Sequence, residues 1–244
     1  MNYPLISSIC PTTGARRDFL LRAIAMWMKQ DYPNRELILV NDDTQDTLVD
    51  LIPDIPGVEY IFIDKRFTKR PLSIGVKRNI ACSLARGDIF CLLDDDDRFG
   101  SHRLSIQARP ILSGLADCTA LKMERAYDLP SGEMWACPDA VHAKLFPLGV
   151  RCGTLMFNAR YWKSGLTYPN ASQGEDVHFL RTLIAHQARL EPVRDPGYIC
   201  IRHGSNVSAR LEYAEWSRVA PLDYLTVEEQ AFYATFKEDV QHAA

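Results

Sequence analysis

The chain has 244 residues, 47% of them apolar and 24% charged, with a formal net charge of −3. That length suits one α/β domain with a short appendage, and the near-neutral charge without long basic runs excludes an electrostatic footprint for nucleic acid. No run approaches the roughly 18 apolar residues of a membrane span, which leaves only peripheral membrane contact open, and the first residues do not read as a signal peptide.

In chain order, the apolar run 5–10 predicts a buried strand, ended by a turn at Pro11, Thr12, Thr13 and Gly14. Over 18–29, Leu20, Ile24 and Trp27 share one helical face, and Pro33 closes the segment. Residues 36–40 read as a second strand, followed by Asn41, Asp42 and Asp43; a short helix over 46–52 and a third strand over 58–63 come next. A basic loop spans 65–71. Ser73 is the expected N-cap of a helix reaching Ala85, with Gly87 closing it in a left-handed turn. Residues 88–93 form a fourth strand that runs into Asp94, Asp95, Asp96 and Asp97. This alternation predicts an α/β fold whose parallel, twisted sheet carries helices on both faces and binds ligands outside the strand C-termini.

After Arg98 the alternation loosens. A helix is expected over 101–112, strands near 119–125 and 153–157, a helix over 175–186 and a last strand over 198–201. The tail over 212–240 reads as one or two amphipathic helices around Pro221, and Trp27 and Trp216 read as helix packing. The expected organisation is one domain over 1–210, with a nucleotide-binding half (1–98) and an acceptor half (99–210) sharing one sheet, then a helical extension over 211–244. The seven cysteines are odd in number and lack a CxxC pair. They argue against a disulfide framework and a thiolate zinc site, and point to a reducing cytoplasm.

The chemistry concentrates at residues 94–97. Four adjacent carboxylates repel one another unless a cation or hydrogen bonds compensate them. Hard divalent ions such as Mg²⁺ and Mn²⁺ take oxygen ligands, often one or two carboxylates plus substrate phosphates. The alternative is a solvated acidic turn, which the apolar strand leading into the cluster disfavours. A P-loop and a dinucleotide fingerprint are both missing.

Several stretches, in order, resemble the family-2-type glycosyltransferases with the GT-A fold. They are Cys10-Pro11-Thr12; Gln30-Asp31-Tyr32 with Glu36 to Thr44; Lys77-Arg78-Asn79 with Gly87-Asp88; Leu93 with its four aspartates; and Gly174-Glu175-Asp176. Asn41 stands where that family usually has Asp, and Asp43 where Gly is common. The resemblance implies a Rossmann-like, mostly parallel sheet and transfer of a sugar from a nucleotide-sugar donor to a glycan or other hydroxyl acceptor, with inversion. It implies that Pro11, Thr12 and Asp42 cradle the nucleobase and ribose, and that Lys77 and Arg78 lie near the diphosphate. Asp94 and Asp95 would meet the ribose and the metal's water shell, and Asp96 would ligate Mn²⁺ or Mg²⁺. Asp176 would be the general base.

Asp176 also has a reading of its own. Inverting transfer needs one carboxylate beside the attacking hydroxyl, and a helix N-terminus favours negative charge; equally, Glu175 and Asp176 are ordinary residues for a first helical turn. Glu175 is expected to bond an acceptor hydroxyl. His203, after the last predicted strand, offers an imidazole to the metal's shell or serves structurally. Two other readings stay open, a nucleotide-sugar-binding relative without turnover and a sugar nucleotidyltransferase. The latter class opens with a glycine-rich loop, where this chain has only Gly14.

Overall fold

Alternating faces of the apolar strands organise the molecule. In the computed structural model, which describes residues 3–52, 55–68, 70–207 and 211–236, the first half reads β1 (Ile6–Thr12), α1 (Arg17–Met28), β2 (Arg35–Asp43), β3 (Val58–Asp64), α2 (Lys65–Thr68), α3 (Ile74–Leu84) and β4 (Ile89–Leu92). The second half contains α4 (Arg103–Leu112), β5 (Cys118–Leu121), β6 (Arg125–Asp128), β7 (Glu133–Ala136), α5 (Asp139–Leu145), β8 (Met156–Asn158) and α6 (Arg160–Lys163). It continues with α7 (Glu175–Ala185), β9 (Leu190–Val193), β10 (Cys200–Arg202), β11 (Ser217–Val219) and α8 (Val227–Ala234).

Along β2, Leu37 and Leu39 pack with Leu20, Ile24 and Trp27 of α1, whereas Ile38 and Val40 pack with Ala81 of α3 and Phe179 of α7. Successive side chains point to opposite faces, so a strand buried on both sides must be apolar throughout. The seven-stranded sheet has the order β3-β2-β1-β4-β8-β5-β9. Its described neighbours pair in parallel except at β8, which runs antiparallel to both β4 and β5. The chain lays β2 and β3 outward on one side of β1, then crosses back to place β4 on the other. That reversal makes the β1/β4 boundary a topological switch point, where the connections diverge and leave a crevice. Thr12 and residues 94–97 lie at its mouth.

The second half does not share one sheet with the first throughout. Residues 119–125, read as one strand, divide between β5 of the large sheet and β6 of a four-stranded sheet ordered β10-β6-β7-β11. The expected strand over 198–201 lies at Cys200–Arg202, with Ile199 ahead of it in a lone antiparallel bridge to Arg98. The predicted helix over 46–52 shrinks to a 3₁₀ turn at Val49–Leu51, since Asp46 takes the Leu48 N–H into a local turn (3.1 Å). The basic loop gains the single turn α2, started by Asp64 accepting from the Arg66 N–H (2.9 Å).

Ser73 caps α3 as expected, its hydroxyl accepting from the Val76 N–H (3.2 Å). Gly87 is not left-handed; it is glycine because a Cβ there would sit 2.5 Å from the Ser7 hydroxyl. The tail holds α8, with a capping box between Thr226 and Glu229, but β11 precedes it, paired with β7. Trp216 packs against Tyr213 just before β11 and not within a helix. The part of the predicted tail helix over 237–240 lies outside the described residues.

Candidate active site

The switch-point crevice encloses about 510 Å³ and is lined by the ends of β1 and β4, the start of α7 and the segments around 145–152 and 206–207. It gathers Pro11, Thr12, Lys77, Arg78, Asp94, Asp95, Asp96, Glu175 and Asp176. Asp42 and His203 do not line it; each stands behind a residue that does.

Asp95 is buried and fully engaged. One carboxylate oxygen accepts from the Thr12 hydroxyl (2.7 Å) and the other from Arg16 Nη1 (2.7 Å). The same Arg16 nitrogen donates to Asp96 Oδ2 (2.7 Å), and Nη2 reaches the Ser205 carbonyl (3.0 Å). Asp96 Oδ2 also meets His203 Nε2 (3.0 Å) and accepts from the Asn206 amide (3.2 Å). The His203 ring stacks on Phe19, with centroids 4.9 Å apart. Asp97, which also lines the crevice, accepts from the Tyr198 hydroxyl (2.9 Å) and the Ile201 N–H (3.0 Å). It pins the acid loop to β10.

These environments separate four chemically identical groups. Burial raises Asp94; it pushes Asp95 up to about 6 against the pull of Arg16, and Asp97 up to about 7 with help from the charge of Asp96. Burial acts on Asp96 too, but the hydrogen bond to His203 and the charge of Arg16 outweigh it and hold that carboxyl well below the usual range.

On α3, Lys77 Nζ donates to the Thr12 carbonyl (2.9 Å) and to Asp42 Oδ1 (2.8 Å), while Asp42 Oδ2 accepts from the Leu72 N–H (2.7 Å). Two residues read separately as ligand contacts are thus each other's partners. Arg78 bridges Asp94 Oδ1 (2.9 Å) and Glu175 Oε1 (2.6 Å). Asp176 occupies the first turn of α7, its Oδ1 accepting from the Val177 N–H (2.7 Å).

Among the described residues no hydrogen bond engages Asp94 Oδ2, Asp96 Oδ1 or Asp176 Oδ2. Gly153 faces two of these oxygens. A Cβ on it would sit 2.7 Å from Asp94 Oδ2 and 3.6 Å from Asp176 Oδ2, so the bare Cα keeps the space between them. No three His, Cys, Asp or Glu side chains among the described residues converge into a metal cage. Mg²⁺ is bound through one or two carboxylates completed by phosphates and water, and Mn²⁺ favours the same oxygen donors. The uncommitted oxygens of Asp94 and Asp96 fit such an ion. No local pattern in the sequence marks Arg16, Arg151 or Gly153, because the groups that surround them lie far away in the chain.

A family model described as "Glycosyl transferase family 2" matches residues 7–149. The chain is 36% identical over 111 residues to an uncharacterized glycosyltransferase of Haemophilus influenzae, an alignment covering 44% of this chain and 42% of that one. It is 32% identical over 107 residues to a putative colanic acid biosynthesis glycosyl transferase, WcaA, of Escherichia coli, covering 43% and 37% respectively. The matched part is therefore about two-fifths of each curated relative. Among solved structures, S. aureus TarS 1–349 in complex with UDP-GlcNAc aligns with a TM-score of 0.63 and 19% identity, over 86% of this chain and 62% of that one. The mannosyltransferase PcManGT of Pyrobaculum calidifontis, in complex with GDP-Man and Mn²⁺, aligns with a TM-score of 0.62 and 13% identity, over 83% and 57%. At those identities the likeness is one of fold, the GT-A arrangement.

Proposed function

Because the chain belongs to glycosyl transferase family 2, we propose that it moves a sugar from a nucleoside-diphosphate donor to an acceptor hydroxyl, with inversion at the transferred carbon. The supporting observation is the gathering of uncommitted oxygens from Asp94, Asp96 and Asp176 in one crevice at the switch point. Asp94 and Asp96 would hold Mn²⁺ or Mg²⁺, which when bound neutralises charge developing on the leaving diphosphate. Pro11 and Thr12 line the nucleoside side, with Lys77 and Asp42 fixing the Thr12 carbonyl behind them. Arg78 holds Asp94 and Glu175 in register, and Glu175 has a second oxygen for an acceptor hydroxyl.

Asp176 takes the acceptor's proton. Its Oδ1 is anchored by the Val177 N–H, which leaves Oδ2 to the crevice. A base so fixed, with one oxygen left to the crevice, supports the general-base reading. The seven cysteines are all free and six are buried, and no described helix is long and apolar enough to cross a membrane. The free thiols support a cytoplasmic setting for the reaction.

Thermal shift tests the metal and donor together. A nucleoside diphosphate at about 100 times its Kd should raise Tm by roughly 5–10 °C with Mn²⁺ present and far less in EDTA. Asp96→Asn should erase the difference, because an amide is a poor ligand for a hard cation. Equal stabilisation in EDTA would remove the metal from the scheme.

A further inference from the structure

Three of the four cations that line the crevice are matched by acceptors. Arg16 is held by Asp95, Asp96 and the Ser205 carbonyl, Lys77 by Asp42 and the Thr12 carbonyl, and Arg78 by Asp94 and Glu175. Arg151 is the exception. Its backbone is fixed, the N–H donating to the Leu121 carbonyl (2.8 Å) and the carbonyl accepting from the Thr154 hydroxyl (2.7 Å). Its Nε is buried without a partner, as is that of Arg78, but in Arg151 no hydrogen bond or ion pair among the described residues reaches the rest of the guanidinium either. The charges of Asp97 and Asp94 act on it, but neither carboxylate comes within ion-pairing distance. Both oxygens of Asp97 are engaged by Tyr198 and Ile201.

A guanidinium with a buried, unpaired edge in a substrate crevice calls for an external acceptor. Its planar fork matches a carboxylate bidentately. The diphosphate of a donor is answered by the divalent cation that Asp94 and Asp96 would hold, which leaves the Arg151 fork for a carboxylate. Arg151 also lies two positions before Gly153, whose Cα faces Asp94 and Asp176. An anion bound there belongs to the sugar end of a substrate, away from the nucleoside side at Thr12 and Lys77. The same cavity presents Leu145, Phe146 and Val207, apolar surface suited to the C–H face of a sugar ring.

We propose that Arg151 binds a carboxylate carried on a sugar ring, so that the substrate is an acidic sugar, borne by either the donor or the acceptor. This rests on the glycosyl-transfer reading of the crevice.

The test is calorimetry on the full chain with Mn²⁺. The donor arm compares UDP-glucuronate with UDP-glucose and GDP-mannuronate with GDP-mannose; the acceptor arm compares a uronate-containing with a neutral disaccharide in the presence of the nucleoside diphosphate. Wild type should prefer the acidic ligand at least tenfold in one arm, and that arm identifies the bearer. Arg151→Gln should abolish the preference without changing affinity for the nucleoside diphosphate alone. Arg151→Lys, which keeps the charge but loses the fork, should retain part of it and guards against a folding defect in the first variant. Equal binding of acidic and neutral ligands by wild type overturns the proposal. So does a loss in Arg151→Gln that falls equally on both, or equally on the nucleoside diphosphate. Failure of every nucleotide sugar to bind would remove the transfer reading itself, and the proposal with it.

Discussion

Asp176 has one oxygen tied to its own helix and one turned to the crevice, and this division lets its roles be separated. Asp176→Asn keeps an acceptor for the Val177 N–H, so helix α7 should start as before. Transfer should fall by about 10²–10⁴, the usual contribution of a positioned base, while donor affinity and Tm stay unchanged. That pattern, read in kinetics and calorimetry, marks loss of an interaction made only in the transition state. A lower Tm with lost binding would instead mark Asp176 as a cap. Much at this scale was legible in the sequence, because Asp94 and Asp96 follow the apolar strand β4 and Asp176 opens α7 after a polar run. What was not legible is which groups are partners. Arg16 meets Asp95 and Asp96 across 79 and 80 positions, and Lys77 meets Asp42 across 35; no local spacing announces such pairs.

The helices that present these residues obey rules that can be read locally. Ser73 combines a hydroxyl acceptor with extended backbone ahead of α3, and it was recognisable as a cap for that reason. Ser73→Ala should cost about 0.5–2 kcal/mol, measurable as a lower urea midpoint with an unchanged slope. The hydroxyl also donates to Asn170 (2.8 Å), which adds to the loss. The strands of the first half were equally readable, since burial on both faces requires unbroken apolar runs. The small sheet was not. Its strands have three or four residues each, too few for alternation to show, and β6 follows β5 so closely that the two read as one. Strand β11 falls where the pattern of the tail predicts a helix, because its pairing with β7 is a tertiary fact.

Across the whole molecule, Asp97 joins the acid loop of the large sheet to β10 of the small one. Burial raises its carboxyl to about 7, against about 3.9 in an unfolded chain. Between those values the folded state keeps a proton that the unfolded state has released, so the contribution of Asp97 to stability falls as pH rises from about 4 to about 7. In EDTA, Tm should therefore drop between pH 5 and pH 8, and Asp97→Asn, which carries no charge to bury, should flatten that slope. A slope that Asp97→Asn leaves unchanged would show Asp97 ionised in the fold.

The same contacts have a consequence for the order of assembly during synthesis. The acid loop finds Tyr198, Ile201, His203 and Asn206 at separations of 101 to 110 positions. Residues 94–97 thus leave the ribosome long before these four partners do. Until the last strand arrives, the nascent sheet carries adjacent like charges with few donors to answer them, and closing so long a loop is slow. The switch-point crevice is complete only when nearly the whole chain is present, which makes the finished site a late checkpoint on correct folding.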